Sequence, residues 1–144
     1  MLLPDINVLI YAHREESASH PRFRRWLQDV VEADAGFGLA DLVLTGFLRV
    51  ITNPRVMDPP TPFNQALAFV EGLRGQPNVT IIAPGERHWG IFTQLCVASE
   101  ARGNLIADAY LAALAIESGS EWITTDRDFA RFPGLRWRHP LEPV

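Results

Sequence analysis

Apolar residues fall in short clusters along this chain, and their spacing alternates between two periods. Leu2-Leu3 opens a short apolar strand that ends at Asp5, and Val8 to Ala12 reads as a short helix behind it. His20-Pro21 starts a helix to about Ala33, with Phe23, Trp26, Leu27, Val30 and Val31 near helical spacing. Gly36 to Ala40 is a short strand candidate. Leu42 to Ile51 reads as a helix, stopped by Asn53-Pro54 because a residue before proline is pushed out of the helical region. Three prolines make Met57 to Pro62 a loop. Phe63 to Leu73 is again helical, with Gly72 and Gly75 marking its end, and the β-branched run Val79-Thr80-Ile81-Ile82 is a strand closed by Pro84-Gly85. Glu86 to Ala101 is a long helix ended by Gly103, and Leu105 to Ser118 a second one stopped by Gly119. Trp122-Ile123-Thr124-Thr125 is a strand, Arg127 to Phe132 one or two helical turns, and Leu135 to Arg138 a last short strand.

Strands that alternate with helices or helix pairs argue for an α/β fold. Its central sheet is expected to be mainly parallel, with helices on both faces to cover short apolar strands. No linker divides the chain, so residues 1–144 are expected to form a single domain, long enough to bury about two-thirds of its unfolded surface.

Composition narrows the function. Hydrophobic residues make up 47% and charged residues 21%, a soluble globular balance. No apolar run reaches membrane-spanning length. The opening Met1-Leu2-Leu3-Pro4-Asp5 has an early acid and no basic residue, unlike a secretory leader, so the expected location is the cytoplasm. Cys96 is the single cysteine, which excludes intramolecular disulfides and Cys-based zinc sites. All 13 basic residues are Arg. The absence of Lys excludes a P-loop lysine, a Schiff base and a Ser–Lys dyad. Any cationic phosphate contact must come from Arg, which can bind bidentately. A net charge of −4 argues against a protein that coats nucleic acid, but not against a nuclease, because a metal can supply positive charge locally.

Four aspartates occupy informative places. Asp5, Asp41 and Asp126 each follow a strand, and in an open parallel sheet ligands bind beyond the carboxyl ends of the strands. Each also precedes a helical run, where an aspartate can simply cap the helix. Asp108 differs, because it lies inside a helix apolar on nearly every face, where an unpaired carboxylate is costly. Carboxylates brought together repel unless a cation neutralises them. A hard divalent ion such as Mg²⁺ or Mn²⁺ prefers oxygen ligands and can activate water for attack on a phosphodiester.

At this point the chain resembles a known family. Leu3-Pro4-Asp5-Ile6-Asn7-Val8-Leu9-Ile10-Tyr11-Ala12 looks like the opening of the PIN domain. Gly103-Asn104-Leu105-Ile106-Ala107-Asp108-Ala109 looks like its central acidic helix. Thr124-Thr125-Asp126-Arg127-Asp128-Phe129, followed by Pro133-Gly134-Leu135, looks like its C-terminal motif. Asp41-Leu42-Val43-Leu44-Thr45-Gly46-Phe47-Leu48-Arg49-Val50 and Thr52-Asn53-Pro54-Arg55 are similar to one subgroup of VapC-type toxins of bacterial toxin–antitoxin pairs. The resemblance implies a Mg²⁺- or Mn²⁺-dependent endoribonuclease acting on structured RNA such as tRNA or ribosomal RNA, held in check by an antitoxin and commonly dimeric. It implies Asp5, Asp108 and Asp126 as metal ligands. It places Asp41 where the family usually carries Glu, one methylene longer.

Supporting candidates follow. Asn7 can orient a carboxylate or water, or close a local turn. One hydroxyl of Thr124 and Thr125 can face the site, since strand neighbours point to opposite faces, and Thr125 is the candidate taken forward. Asp128 is a varying position in the family and also fits a solvated first-turn acid. Arg49 and Arg55 are candidates for RNA phosphates, or for surface ion pairs. Arg22, Arg24 and Arg25 read as a solvated helix face. The four histidines show no ligand spacing and receive no role. Two other readings stand beside the nuclease: a PIN-fold module that binds RNA or antitoxin without turnover, and a haloacid-dehalogenase-like phosphatase. The phosphatase is disfavoured because Asn7 stands where its second Asp belongs and no Lys is present.

Overall fold

The computed structural model describes residues 1–143. Its elements run in the order β1 (Leu2–Pro4), α1 (Ile6–His13), α2 (His20–Glu32), β2 (Phe37–Ala40), α3 (Asp41–Ile51), α4 (Phe63–Arg74), β3 (Val79–Ile82), α5 (His88–Ser99), α6 (Asn104–Ser118) and β4 (Glu121–Ile123). A 3₁₀ turn at Arg127–Arg131 and β5 (Trp137–Arg138) complete it. The strands form one five-stranded sheet in the order β3-β2-β1-β4-β5, and every pairing is parallel. The expected α/β fold with a parallel sheet is therefore present.

Parallel strands must be reached by crossovers, and here helices or helix pairs supply them. All four residues of β2 are buried, which requires cover on both faces. Edge strand β3 shows the opposite pattern, exposed at Thr80 and Ile81. Leu3, Leu9, Phe37, Leu39, Phe47, Trp122 and Ile123 form the centre of the core, all at 0% exposure. Helix α1 packs on α2 and α3, and α5 pairs with α6. The α1–α3 contact is close: a Cβ on Gly46 would stand 2.5 Å from Ile6 Cδ1, so any larger residue there would have to displace the Ile6 side chain.

Boundaries moved where side-chain chemistry overrode apolar spacing. Helix α1 begins at Ile6, two residues before the apolar pattern suggests, because Asp5 caps it. Strand β4 stops at Ile123, so Thr124 and Thr125 lie in the turn beyond it. Helix α5 is shorter than Glu86 to Ala101, ending where Glu100 turns left-handed at φ 52°.

Candidate active site

Three adjacent strands, β2, β1 and β4, end on one side of the sheet, and an aspartate follows each. Asp5 leaves β1 and is buried at 6% exposure. Its Oδ1 accepts the Ile6 amide at 2.7 Å, which starts α1, and its Oδ2 accepts the hydroxyl of Thr124 at 2.7 Å. Thr124 is fully buried, and its Oγ1 also accepts the Asp126 amide at 3.0 Å. One hydroxyl thus ties the turn after β4 to the carboxylate after β1. Asp126 Oδ1 in turn accepts the Asp128 amide at 2.9 Å and caps the 3₁₀ turn. The cap and the functional reading are therefore compatible at Asp5 and Asp126, because a carboxylate has acceptor sites left after one amide.

Asp108 comes from α6, half-buried one turn past the helix start. It shares an electrostatic environment with Asp5 and Asp126. Burial, helped by the charges of Asp108 and Asp126, pushes the Asp5 carboxyl up to about 6 against the two hydrogen bonds that favour its charge. Burial likewise raises Asp108 to about 6, helped by Asp126 and Asp128 and opposed by Arg131. The acids stand close enough to repel. Among the described residues, however, no group of three His, Cys, Asp or Glu side chains is drawn together as ligands to a metal ion. The donors are all carboxylate oxygens, the set a hard divalent cation takes, and an added cation would relieve the repulsion. Asp5, Asp108 and Asp126 therefore fit such an ion chemically.

The remaining candidates separate. Asp41 is the first residue of α3, is exposed, and does not cap the helix. Its two oxygens accept Arg74 Nε at 3.1 Å and Nη2 at 3.2 Å. It is engaged with a cation from α4, and it is not among the groups that perturb Asp5 or Asp108. Thr124, not Thr125, reaches Asp5; β4 ends at Ile123, two residues before the expected strand end, so both threonines lie in the turn. Asp128 is exposed and pairs with Arg131 at 3.6 Å across one 3₁₀ turn. Asn7 is exposed on the first turn of α1. Arg49 lines a shallow groove with Ile6, Leu42, Gly46 and Ala107, beside the start of α6. Arg55 lies in the loop beyond the far end of α3.

Two features escaped the sequence reading. Arg74 meets Asp41 across 33 residues, with no local signal. Arg131 stands three residues after Asp128, a spacing that does mark a pair. The histidines serve structure: His20 Nδ1 bonds Tyr11 O at 2.9 Å, and buried His88 Nε2 bonds Tyr110 O at 3.0 Å.

The PIN domain family model matches residues 2–135. Ribonuclease VapC43 of Mycobacterium tuberculosis is 48% identical over 142 residues, covering 99% of this chain and 97% of that protein. Ribonuclease VapC25 of the same organism is 41% identical over 140 residues, covering 97% and 99%. Among solved structures, VapBC2 from Rickettsia felis, bound to a DNA fragment from its promoter, aligns with a TM-score of 0.71 at 16% identity over 96% of this chain and 97% of that chain. The sarcin–ricin-loop-cleaving toxin VapC20 of Mycobacterium tuberculosis aligns at 0.65 and 15% identity, over 94% and 99%. These two likenesses concern the fold; the sequence relatives and the family match carry the assignment. The chain belongs to the PIN-domain family and, within it, to the VapC group.

Proposed function

We propose that this protein is the ribonuclease toxin of a toxin–antitoxin pair, a metal-dependent endoribonuclease that hydrolyses phosphodiester bonds in structured RNA such as tRNA or ribosomal RNA. The observation that carries this reading is the mutual repulsion of Asp5, Asp108 and Asp126 at the strand-end edge of a PIN fold, with Asp5 and Asp108 raised to about 6. The names of the VapC relatives support ribonuclease action, and the VapBC complexes among the structural neighbours support an antitoxin partner and a dimeric assembly.

Asp5, Asp108 and Asp126 would hold Mg²⁺ or Mn²⁺, which when bound would ease deprotonation of water to a nucleophile and would supply positive charge for the phosphate oxygens. The chain's own residues set the stage. Thr124 fixes the rotamer of Asp5 and the position of the Asp126 backbone together, so the two carboxylates keep their separation. The capped starts of α1 and the 3₁₀ turn hold both residues on rigid elements. Burial of Asp5 keeps bulk water from screening its charge. The one hydroxyl among these groups, on Thr124, is committed to Asp5 and the Asp126 amide, so the attacking group in this reading is water. No helix among the described residues is long and apolar enough to cross a membrane, which accords with action on RNA in the cytoplasm.

The test is incubation of the antitoxin-free protein with total RNA, with and without Mg²⁺ or Mn²⁺, beside Asp108→Ala. Discrete fragments that need metal and vanish in the variant are expected. Intact RNA throughout, with folded protein, would leave a binding module in place of an enzyme.

A further inference from the structure

An RNA strand that reaches Asp108 must approach an edge lined with carboxylates on a chain of net charge −4. Phosphates are repelled there unless cations stand beside the acids. The chain has no lysine, so arginine must serve. Two arginines are tied to this edge by its own acids, one on each side of Asp5. Arg74, at the end of α4, is held by Asp41 beyond β2. Arg131 is held by Asp128 beyond β4.

We propose that Arg74 and Arg131 grip the RNA backbone phosphates on either side of the bond to be cut, so that the strand crosses the sheet edge from β2 toward β4. This inference rests on the nuclease reading above. Strands β2, β1 and β4 are neighbours, so the two posts flank Asp5 across two strand spacings, roughly 10 Å of sheet. Both guanidiniums keep donors to spare. Arg74 spends two of its five N–H groups on Asp41 and is partly exposed; Arg131 has one loose pair at 3.6 Å and is more exposed still. Both are also pre-oriented. The bidentate pair fixes Arg74, and the turn carrying Arg131 is pinned to the core by Phe129 and Phe132, 1% and 3% exposed. Arg131 is tied by its pair with Asp128 to the turn that Asp126 caps, which places its charge on the β4 side of the same edge. The same geometry gives Asp41 a different task from that of the longer glutamate: it positions Arg74. Arg22, exposed on the first turn of α2 near the other end of α1, has no such link to the acids.

The experiment measures binding of a fluorescein-labelled, mixed-sequence single-stranded RNA to the Asp108→Asn protein across a range of salt. Arg74→Gln and Arg131→Gln should each weaken binding and each lower the slope of log affinity against log salt by about 0.7, the double variant by about twice that. Arg74→Lys and Arg131→Lys should keep the slope, and Arg22→Gln should change neither quantity. Unchanged slopes in both Gln variants, or no RNA binding by the Asp108→Asn protein, would overturn the inference. Cleavage of total RNA by the unmodified protein is scored alongside. Cleavage with unchanged slopes removes only the two phosphate posts, whereas no cleavage under any metal removes the nuclease reading beneath them.

Discussion

Two buried charges sit at opposite ends of α1, and they are treated in opposite ways. At its start Asp5, 6% exposed, accepts two hydrogen bonds but faces the like charges of Asp108 and Asp126. Just past its end Arg14, 8% exposed, donates to Thr61 Oγ1 at 2.9 Å and Pro59 O at 2.8 Å and pairs with Glu16. Arg14 is matched on every side, and it clips the proline loop after α3 to α1. Asp5 is held in place yet left in an unfavourable field. A buried charge with complementary partners builds the molecule. One kept among its own kind is poised for a cation or a substrate.

The sharpest way to break this contrast is at Asp108. Asp108→Asn keeps the shape and removes repulsion, so cleavage should fall by about 10²–10³-fold while the melting temperature of the metal-free protein holds or rises. A drop in both would assign Asp108 to the architecture. At the other end of the helix Arg14→Ala should do the reverse. Losing hydrogen bonds to a charged group costs about 2–3 kcal/mol, seen as a lower urea midpoint, while residual cleavage by the folded fraction stays near normal. Smaller than either is Thr124→Val, which keeps the volume but frees Asp5 from Asp126. Cleavage should fall about 10-fold, with Thr124→Ser restoring most of it.

A further effect is in pH. Asp5 and Asp108 titrate near 6 in the folded chain and near 4 when unfolded. Between those values the folded state binds more protons, so these two groups lower stability as pH rises from about 4 through 6. Thermal melts of metal-free protein should show that fall, flattened in Asp108→Asn, and Mg²⁺ or Mn²⁺ at pH 7.5 should reverse it. Cleavage should decline below about pH 6, where the carboxyls hold protons.

What the sequence reveals here depends on range. Helices and parallel strands announce themselves through apolar period and glycine or proline stops, which act over a few residues. Asp5 and Asp126 stand out because strand ends converge on one edge in this fold class, and Asp108 because its helix is otherwise apolar. The ties between segments leave no such trace. Thr124 meets Asp5 across 119 residues, Arg14 meets Thr61 across 47, and Arg74 meets Asp41 across 33. Thr125 looked as good as Thr124 because strand alternation cannot choose between neighbours once the strand's last residue is uncertain by one. Asp41 stood out because it follows a strand on the same edge, and only α4 packing on α3 supplies the arginine it binds.

The bond between Thr124 and Asp5 also has a consequence for how the protein is made. Residue 5 leaves the ribosome early, but its partners on β4 and in the turn after it come some 120 residues later. At ordinary synthesis speeds that interval is roughly ten seconds. Until Asp126 is made the nascent chain lacks part of the set, so a half-made copy cannot bring the three acids together. Harm is deferred until translation is nearly over, by topology alone.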